Sequence, residues 1–247
     1  MSAEVLGLSE NRERKMMHKV DILIQHGAHE MAIRYCDDFI KAKPESFHGY
    51  AVKHEIHMKM RDYEASLQDA NHALRNTGNK RGGIFLKLLS LNQILEKSRL
   101  FLVSPSSLEK ERGYAEELRK TAKRALTQYR GDTQIACTIA ECYQVMGMKD
   151  EAISALDGHL QINPGDVHCL YLLALIYHEE KQYEKALFFY DRSLKSIEKY
   201  SQVFKDNFSK LISGSRKQAL KATNRVALSG SSKKNISPYL PSCREET

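Results

Sequence analysis

Residues 54 to 60 place metal-binding and acidic side chains close together. The stretch reads HEIHMKM, and on a helix His54 and His57 share a face, with Met58 one turn on from His54. Two imidazoles one turn apart are typical zinc ligands, and Glu55 resembles the acid of a shortened zinc-protease motif. The stretch either binds a metal or packs inside the protein.

The rest of the sequence offers little support for metal binding or catalysis. A zinc site on these histidines needs a third ligand such as His18 or Cys36, and the spacing indicates neither. Cys36 with a nearby histidine is a possible thiol pair, but there is no HExxH, GxSxG, P-loop or Rossmann glycine pattern. We predict no catalytic residue, no metal site and no cofactor, and therefore not an enzyme.

Composition favours a helical chain. Of the 247 residues, 42% are hydrophobic and 28% are charged, and only 13 are Gly and 5 are Pro. Long stretches carry the apolar spacing of helices, which predicts an all-α protein. The net charge of +7 is concentrated near the C-terminus, because residues 201–247 contain nine Lys or Arg and three acids. The body of the chain is therefore close to neutral.

Cysteine usage and hydropathy suggest a cytoplasmic location. The five cysteines include no CxxC pair, and an odd number cannot close into a full disulfide set. The N-terminus lacks an apolar stretch of signal-peptide length, and charged residues interrupt the most apolar window, residues 84–103. We predict a cytoplasmic protein without a membrane span, and a nuclear location stays open.

A fixed period of about 34 residues runs through the sequence, within the range that is typical of repeat proteins. In such solenoids each unit packs only on its neighbours. The pairs that keep this separation include Ala32 and Ser66, Cys36 and Ala70, Tyr143 and Tyr177, and Ala152 and Ala186.

This pattern resembles the tetratricopeptide repeat (TPR) family, which is built from helix-turn-helix units. The residues that carry the resemblance are Gly27, Ala32, Pro44, Tyr50, Tyr63, Ala73 and Leu74 in the first half and Tyr143, Gly147, Ala152, Pro164, Ala174, Tyr177, Tyr183, Ala186 and Tyr190 in the second. The resemblance extends over residues 13–200. It implies a right-handed TPR superhelix, an α-solenoid of about five helix pairs, each with a helix A followed by a helix B.

The repeat register divides the chain into units with one irregularity. After an N-terminal extension, 1–12, the units are 13–46, 47–80, 81–132, 133–166 and 167–200. The middle unit has 52 residues, 18 more than the period, and we expect the excess in an interhelix insertion near 100–113. Ser106 and Glu109 are expected to form a capping box there. A capping helix, 201–221, and a basic disordered tail, 222–247, are predicted to follow.

The register also assigns the residues of HEIHMKM to different surfaces. His54 takes the position of small residues in helix A, and His57 takes the position of Tyr143 and Tyr177. Both are expected to pack between helices. Glu55 and Met58 are expected to face the concave groove.

In the TPR family, the A helices line a groove that binds an extended peptide or a partner helix, and the resemblance implies the same here. The corresponding positions are Met17, Asp21, Glu55, Met58, Phe85, Leu89, Glu141, Gln144, Tyr171, Leu175 and His178. The Lys, Arg and Asn residues with which some TPR co-chaperones bind acidic C-terminal tails are absent from these positions. The expected partner is a protein segment with apolar anchors and basic residues. The chain would then be an adaptor or scaffold in a multiprotein assembly.

An alternative function rests on the basic C-terminal segment. Its cations could bind nucleic acid or an anionic membrane surface, although aromatic residues between them are few. The residues concerned are Lys205, Lys210, Arg216, Lys217, Lys221, Lys233 and Lys234.

Overall fold

The computed structural model describes residues 18–100 and 105–229, and this part of the chain is helical with no strand. The all-α prediction is confirmed. The helices are α1 (18–25), α2 (His29–Ala42), α3 (Phe47–Lys59), α4 (Tyr63–Asn76), α5 (Lys80–Leu100), α6 (Pro105–Gln128), α7 (Thr133–Val145), α8 (Lys149–Leu160), α9 (Val167–Glu179), α10 (Tyr183–Ile197) and α11 (Gln202–Ser229). None of these helices combines the length and the apolar composition needed to cross a bilayer.

The helices belong to two compact units, Met1–Leu172 and Leu173–Thr247. In the first unit each helix from α2 to α7 packs against the helix that follows it in the chain, so the last of these contacts joins α7 and α8. In addition, α3 packs on α5 and α5 packs on α7, so helices of successive repeats lie side by side. In the second unit, α10 packs against α11.

The turns inside the helix pairs repeat one backbone conformation. Gly27 and Arg61 have φ values of 73° and 59°, and Gly147 and Lys181 have values of 72° and 60°. The two members of each pair stand one repeat period apart in the sequence. This left-handed conformation suits glycine, so Arg61 and Lys181 adopt it because the repeat requires it.

Small buried residues set how closely the helices of a pair approach. Ala32, Ser66, Ala152 and Ala186 occupy the same position of helix B, and all four are fully buried. A larger side chain at this position would push the helices apart. Leu118 is fully buried at the corresponding position of the middle unit, which is the irregular one.

Aspartates cap the N-termini of α4 and α7 in the same way. The Asp62 carboxylate accepts a hydrogen bond from the backbone N–H of Ala65 at 3.1 Å, and Asp132 accepts one from Ile135 at 3.1 Å. Such N-caps satisfy backbone donors that the first helical turn leaves free.

The extra residues of the middle unit lie mostly in helices. The sequence predicts an interhelix insertion followed by a lengthened helix B, and α6 is that longer helix, whereas most of the segment 100–113 is helical and not a loop. α5 has 21 residues and α6 has 24, whereas α3 and α7 have 13 each. Only residues 101–104 between α5 and α6 lie outside the described chain. Ser106 lies in the first turn of α6, which begins at Pro105, and its side chain is outside the described residues, so the capping box stays a prediction. Proline fits a first helical turn because the missing N–H has no partner there.

The last described helix is longer than predicted. α11 extends to Ser229, so residues 222–229, expected to be disordered, are helical. The sequence contains no Gly or Pro between Gly214 and Gly230 to end the helix earlier. Ile212 and Ala219 of α11 are fully buried. The predicted tail from 230 onward and the predicted extension 1–12 lie outside the described residues.

Two glycine-to-alanine substitutions should change stability in opposite directions. No described atom lies within 4 Å of a Cβ added at Gly27 or at Gly158. Gly27→Ala should lower the free energy of unfolding by about 1 kcal/mol, because alanine is strained at a positive φ. Gly158→Ala, inside α8, should raise it by about 0.5–1 kcal/mol. Urea unfolding of both variants measures this, and equal signs would contradict the assigned turn.

Candidate functional site

His54 is a buried packing residue in a polar contact between three helices. Its side chain on α3 is 3% exposed, and its Nε2 lies 2.9 Å from Ser90 Oγ and 3.1 Å from the Leu86 carbonyl oxygen of α5. Ser66 of α4 donates a hydrogen bond to Ser90 Oγ at 2.9 Å. Burial lowers the pKa of His54, and the bond to Leu86 opposes this only partly. A neutral imidazole therefore joins α3 and α5, as the packing interpretation expects.

His57 belongs to a second polar group, which joins α2, α3 and α4. Its Nδ1–H donates to the Asp69 carboxylate at 2.6 Å, and Asp69 is 4% exposed. Lys53 donates to Asp37 at 2.7 Å and lies 3.7 Å from Asp69. Buried charges are stable when paired in this way, and the group gives His57 a structural partner.

Cys36 beside this group is an unreactive thiol. Burial and the neighbouring Asp37 carboxylate raise the pKa of Cys36 to about 12, and Lys53 opposes this only partly. A thiol protonated at neutral pH is a poor nucleophile. The structure therefore gives the Cys36 thiol pair no means of catalysis.

The predicted groove residues differ in exposure. In the first unit, the exposed ones are Asp21, Glu55 and Glu141, and the half-buried ones are Met58, Phe85, Leu89, Gln144 and Tyr171. Leu175 and His178 are half-buried in the second unit, and Met17 lies outside the described residues. Glu55 forms an exposed ion pair with Lys59 at 2.8 Å.

His178 takes part in packing within the second unit. Its Nδ1 lies 3.2 Å from the Tyr190 hydroxyl, and its ring contacts Tyr183 edge to face with centroids 5.6 Å apart. Its neighbour Tyr177 stacks on Phe189 at 5.5 Å. The α9–α10 contact therefore uses part of the surface that the sequence assigned to a partner.

In the first unit, α5 and α7 lie side by side and run in the same direction. At their N-terminal ends, Arg81 donates to the Asp132 carboxylate at 2.5 Å and to the Gln134 side chain at 3.0 Å. Further along, the Cys142 thiol donates to the Leu88 carbonyl oxygen at 3.6 Å. Two contacts at different heights along the same pair of helices fix the register between them.

Two acceptors on these helices have no donor among the described residues. Glu141 precedes Cys142 on α7 and forms no described ion pair, and loss of water around its carboxyl raises its pKa although the residue is exposed overall. Asn92, one turn after Leu88 on α5, has a buried side-chain oxygen without a hydrogen bond. Unsatisfied acceptors of this kind favour a ligand that brings N–H donors or positive charge.

Comparison with known proteins identifies the architecture. The TPR protein TTC0263 of Thermus thermophilus is 16% identical in sequence, covers 86% of this chain and 99% of its own, and superposes with a TM-score of 0.58. MamA from Desulfovibrio magneticus RS-1, residues 41 to the end, is 12% identical in sequence. It covers 76% of this chain and 97% of its own, and superposes with a TM-score of 0.51. At these identities the likeness shows the fold alone. The chain has the TPR fold.

Sequence comparisons add one partial match to the TPR assignment. The family model for the anaphase-promoting complex, cyclosome, subunit 3, matches residues 115–200, which include α7 to α10 and most of α6. No curated protein matches the chain significantly.

The basic residues beyond the TPR units are partly neutralised. Lys205 donates to Glu198 at 3.0 Å, and Arg216 donates to Asp191 at 2.5 Å. The remaining positions divide into Lys210, Lys217 and Lys221, which are exposed on α11, and Lys233 and Lys234, which lie outside the described residues. Neither these contacts nor the comparisons favour the nucleic-acid alternative.

The sequence analysis missed a cluster of ligand-type side chains at the start of α9. The ligand atoms of His159, Asp166 and Cys169 all lie within 4.8 Å of one another. A signal was present, because His159 stands one repeat period before Ser193 at a helix-B position that is buried in both repeats. A histidine at a buried repeat position requires a polar partner nearby.

Replacement of His54 should change how stability depends on pH. In the unfolded chain this histidine has its ordinary pKa of about 6.5. Because the folded pKa is lower, the unfolded state binds more protons below that pH, and stability present above about pH 6.5 is lost as pH falls through the folded pKa. His54→Gln should remove a slope of up to about 1.4 kcal/mol per pH unit.

Urea unfolding at pH 7.5 and 5.5 measures this slope. His72→Gln, which removes a histidine from an exposed position on α4, controls for the loss of one histidine. If the wild type and His54→Gln lose the same free energy between the two pH values, His54 is not the buried neutral group described here.

Proposed function

We propose that the protein is an interaction scaffold whose first unit binds a protein segment with apolar anchors and at least one Lys or Arg. The binding face is formed by α3, α5 and α7 and is called the inner face below. It acts by recognition, with no chemistry on the ligand. The observation that carries this proposal is the partly desolvated Glu141 carboxyl on α7, which forms no described ion pair and lies on the helix that packs against α5, where Phe85 and Leu89 are half-buried.

A ligand cation would give the Glu141 carboxylate the partner that it lacks. Arg and Lys carry several N–H donors, and hydrogen bonds between charged groups are stronger than those between neutral ones. The partly desolvated carboxyl of Glu141 gains most from such a partner, because it has lost water without gaining a cation. The exposed acid Asp21 on the neighbouring α1 adds negative charge and disfavours an acidic tail, whereas Lys59 offsets the charge of Glu55.

The apolar part of the inner face supplies anchoring contacts. Phe85 and Leu89 lie one turn apart on α5, and Met58 lies on the adjacent α3. All three side chains are half-buried. Aromatic and aliphatic side chains next to one another are typical of the centre of an interface, where a few residues carry most of the binding energy. A peptide or an amphipathic helix with two apolar side chains one turn apart fits this arrangement.

The comparisons support the class of partner but not its identity. The family model matched by residues 115–200 describes a subunit of a large complex, and the similar solved structures include a TPR protein. Because TPR folds commonly act as binding modules, we infer a role in a multiprotein assembly, in the cytoplasm or the nucleus.

Selection from a random peptide display library tests the proposal without a known partner. Peptides that bind the full chain should be enriched in Lys or Arg between apolar residues. Glu141→Gln should weaken the selected peptides by about threefold to tenfold, the loss expected for one partly buried ion pair. Phe85→Ala should weaken them by about tenfold or more.

Glu109→Gln is the matched control, because it removes the same charge from an exposed position on α6, outside the inner face. Affinities are measured by calorimetry at two salt concentrations, since an exposed ion pair weakens with salt. Enrichment of acidic peptides, or equal losses in Glu141→Gln and Glu109→Gln, would overturn the proposal.

A further inference from the structure

Four ligand-type side chains meet where α7, α8 and α9 come together, all within the first unit. They are Cys137 in the first turns of α7, His159 in the last turn of α8, Asp166 before α9 and Cys169 in its first turn, called the Cys–His–Asp cluster below. His159 and Cys169 are buried, whereas Cys137 and Asp166 are partly exposed. The cluster is distinct from the HEIHMKM stretch, where the sequence raised the question of a metal.

The distances within the cluster fit a tetrahedral metal. The Sγ atoms of Cys137 and Cys169 are 3.6 Å apart. Two thiolates on one tetrahedral zinc ion, with Zn–S bonds of about 2.3 Å, lie about 3.8 Å apart. His159 Nε2 lies 3.0 Å from Asp166 Oδ2, and both residues have a ligand atom within 4.8 Å of the Cys169 sulfur. Cys137 lies outside this group of three and contacts it only through the Cys169 sulfur, so its side chain would have to rotate toward the ion to become the fourth ligand.

The backbone and a hydroxyl already hold the Asp166 carboxylate in place. Its Oδ1 accepts hydrogen bonds from the N–H groups of His168 and Cys169, at 3.0 and 3.1 Å. Its Oδ2 accepts one from Thr133 and faces His159. One oxygen thus caps α9 and the other is directed into the cluster, as expected of a metal ligand fixed by its surroundings.

We propose that the Cys–His–Asp cluster binds a zinc ion. Two thiolates, one imidazole and one carboxylate form a donor set that zinc prefers and that magnesium and calcium do not. Binding forms two Zn–S bonds and releases the two thiol protons to solvent, while the proton that the neutral His159 carries on Nε2, facing the Asp166 carboxylate, moves to Nδ1 so that Nε2 can bind the ion.

The metal-free cluster is electrostatically incomplete. A thiolate at Cys169 would lie within 4.8 Å of the Asp166 carboxylate, and a divalent ion between them would neutralise both negative charges. The Nδ1 atom of His159 has no hydrogen-bond partner among the described residues. We expect affinity about 10–100-fold below that of sites whose histidine has such a partner.

Cobalt titration of the reduced, full-length, metal-free protein tests the site. One Co²⁺ per chain should produce the sulfur-to-cobalt charge-transfer absorption and the visible bands of a tetrahedral centre, and Zn²⁺ but not Mg²⁺ should abolish them. Cys137→Ser should weaken cobalt binding by at least about 100-fold and reduce the charge-transfer absorption. Absence of these bands in the wild type, or unchanged bands in Cys137→Ser, overturns the proposal.

Cys142→Ser is the matched control. Cys142 lies on the same helix, and a serine hydroxyl can donate to the Leu88 carbonyl oxygen as the thiol does. This variant should bind cobalt like the wild type, and a loss equal to that of Cys137→Ser counts against the site.

A second measurement does not depend on whether the variants fold. Cys137 is the partly exposed thiol of the cluster, and in the wild type Zn²⁺ should slow its alkylation by iodoacetamide, as followed by mass spectrometry of the digested protein. Equal alkylation rates with and without Zn²⁺ overturn the proposal.

Discussion

Close approach of paired helices at small buried residues is the constraint on which the repeats depend. Ala32, Ser66, Ala152 and Ala186 are fully buried at one helix-B position. Because each helix pair buries its apolar side only against a neighbour, the spacing at this contact must recur for the units to stack. The left-handed turn before helix B also recurs from unit to unit and helps to keep this spacing. At Lys181 the chain adopts the turn without a glycine.

The fold could be predicted because this constraint is visible in the sequence as a fixed repeat period. The period also assigned His54 and His57 to packing, which their contacts with Ser90 and Asp69 explain. The middle unit was predicted less well. The sequence analysis placed its extra residues near 100–113, between the two helices. Leu118 still occupies a buried packing position of helix B, so the residues before it could lengthen α5 and α6 without changing that contact. The repeat period indicates which helix faces are packed, but it does not indicate how many exposed turns a helix has.

Side-chain partners could not be predicted because they join positions on different helices. The register assigned His57 to packing between helices, and only the folded structure shows that Asp69, Lys53 and Asp37 complete its group. The Cys–His–Asp cluster was missed for the same reason, since its two cysteines belong to different repeats. The groove positions came from the TPR resemblance, yet the lack of donors at Asn92 is a property of the packed helices.

On the inner face, Glu141 is proposed to recognise a cation of the partner. A double-mutant cycle tests it most directly, by combining Glu141→Gln with replacement of the Lys or Arg in a selected peptide by Met, and measuring four affinities by calorimetry. A coupling energy of at least about 0.5 kcal/mol that falls with added salt is predicted. Losses that simply add, with no coupling at either salt concentration, would contradict the claim.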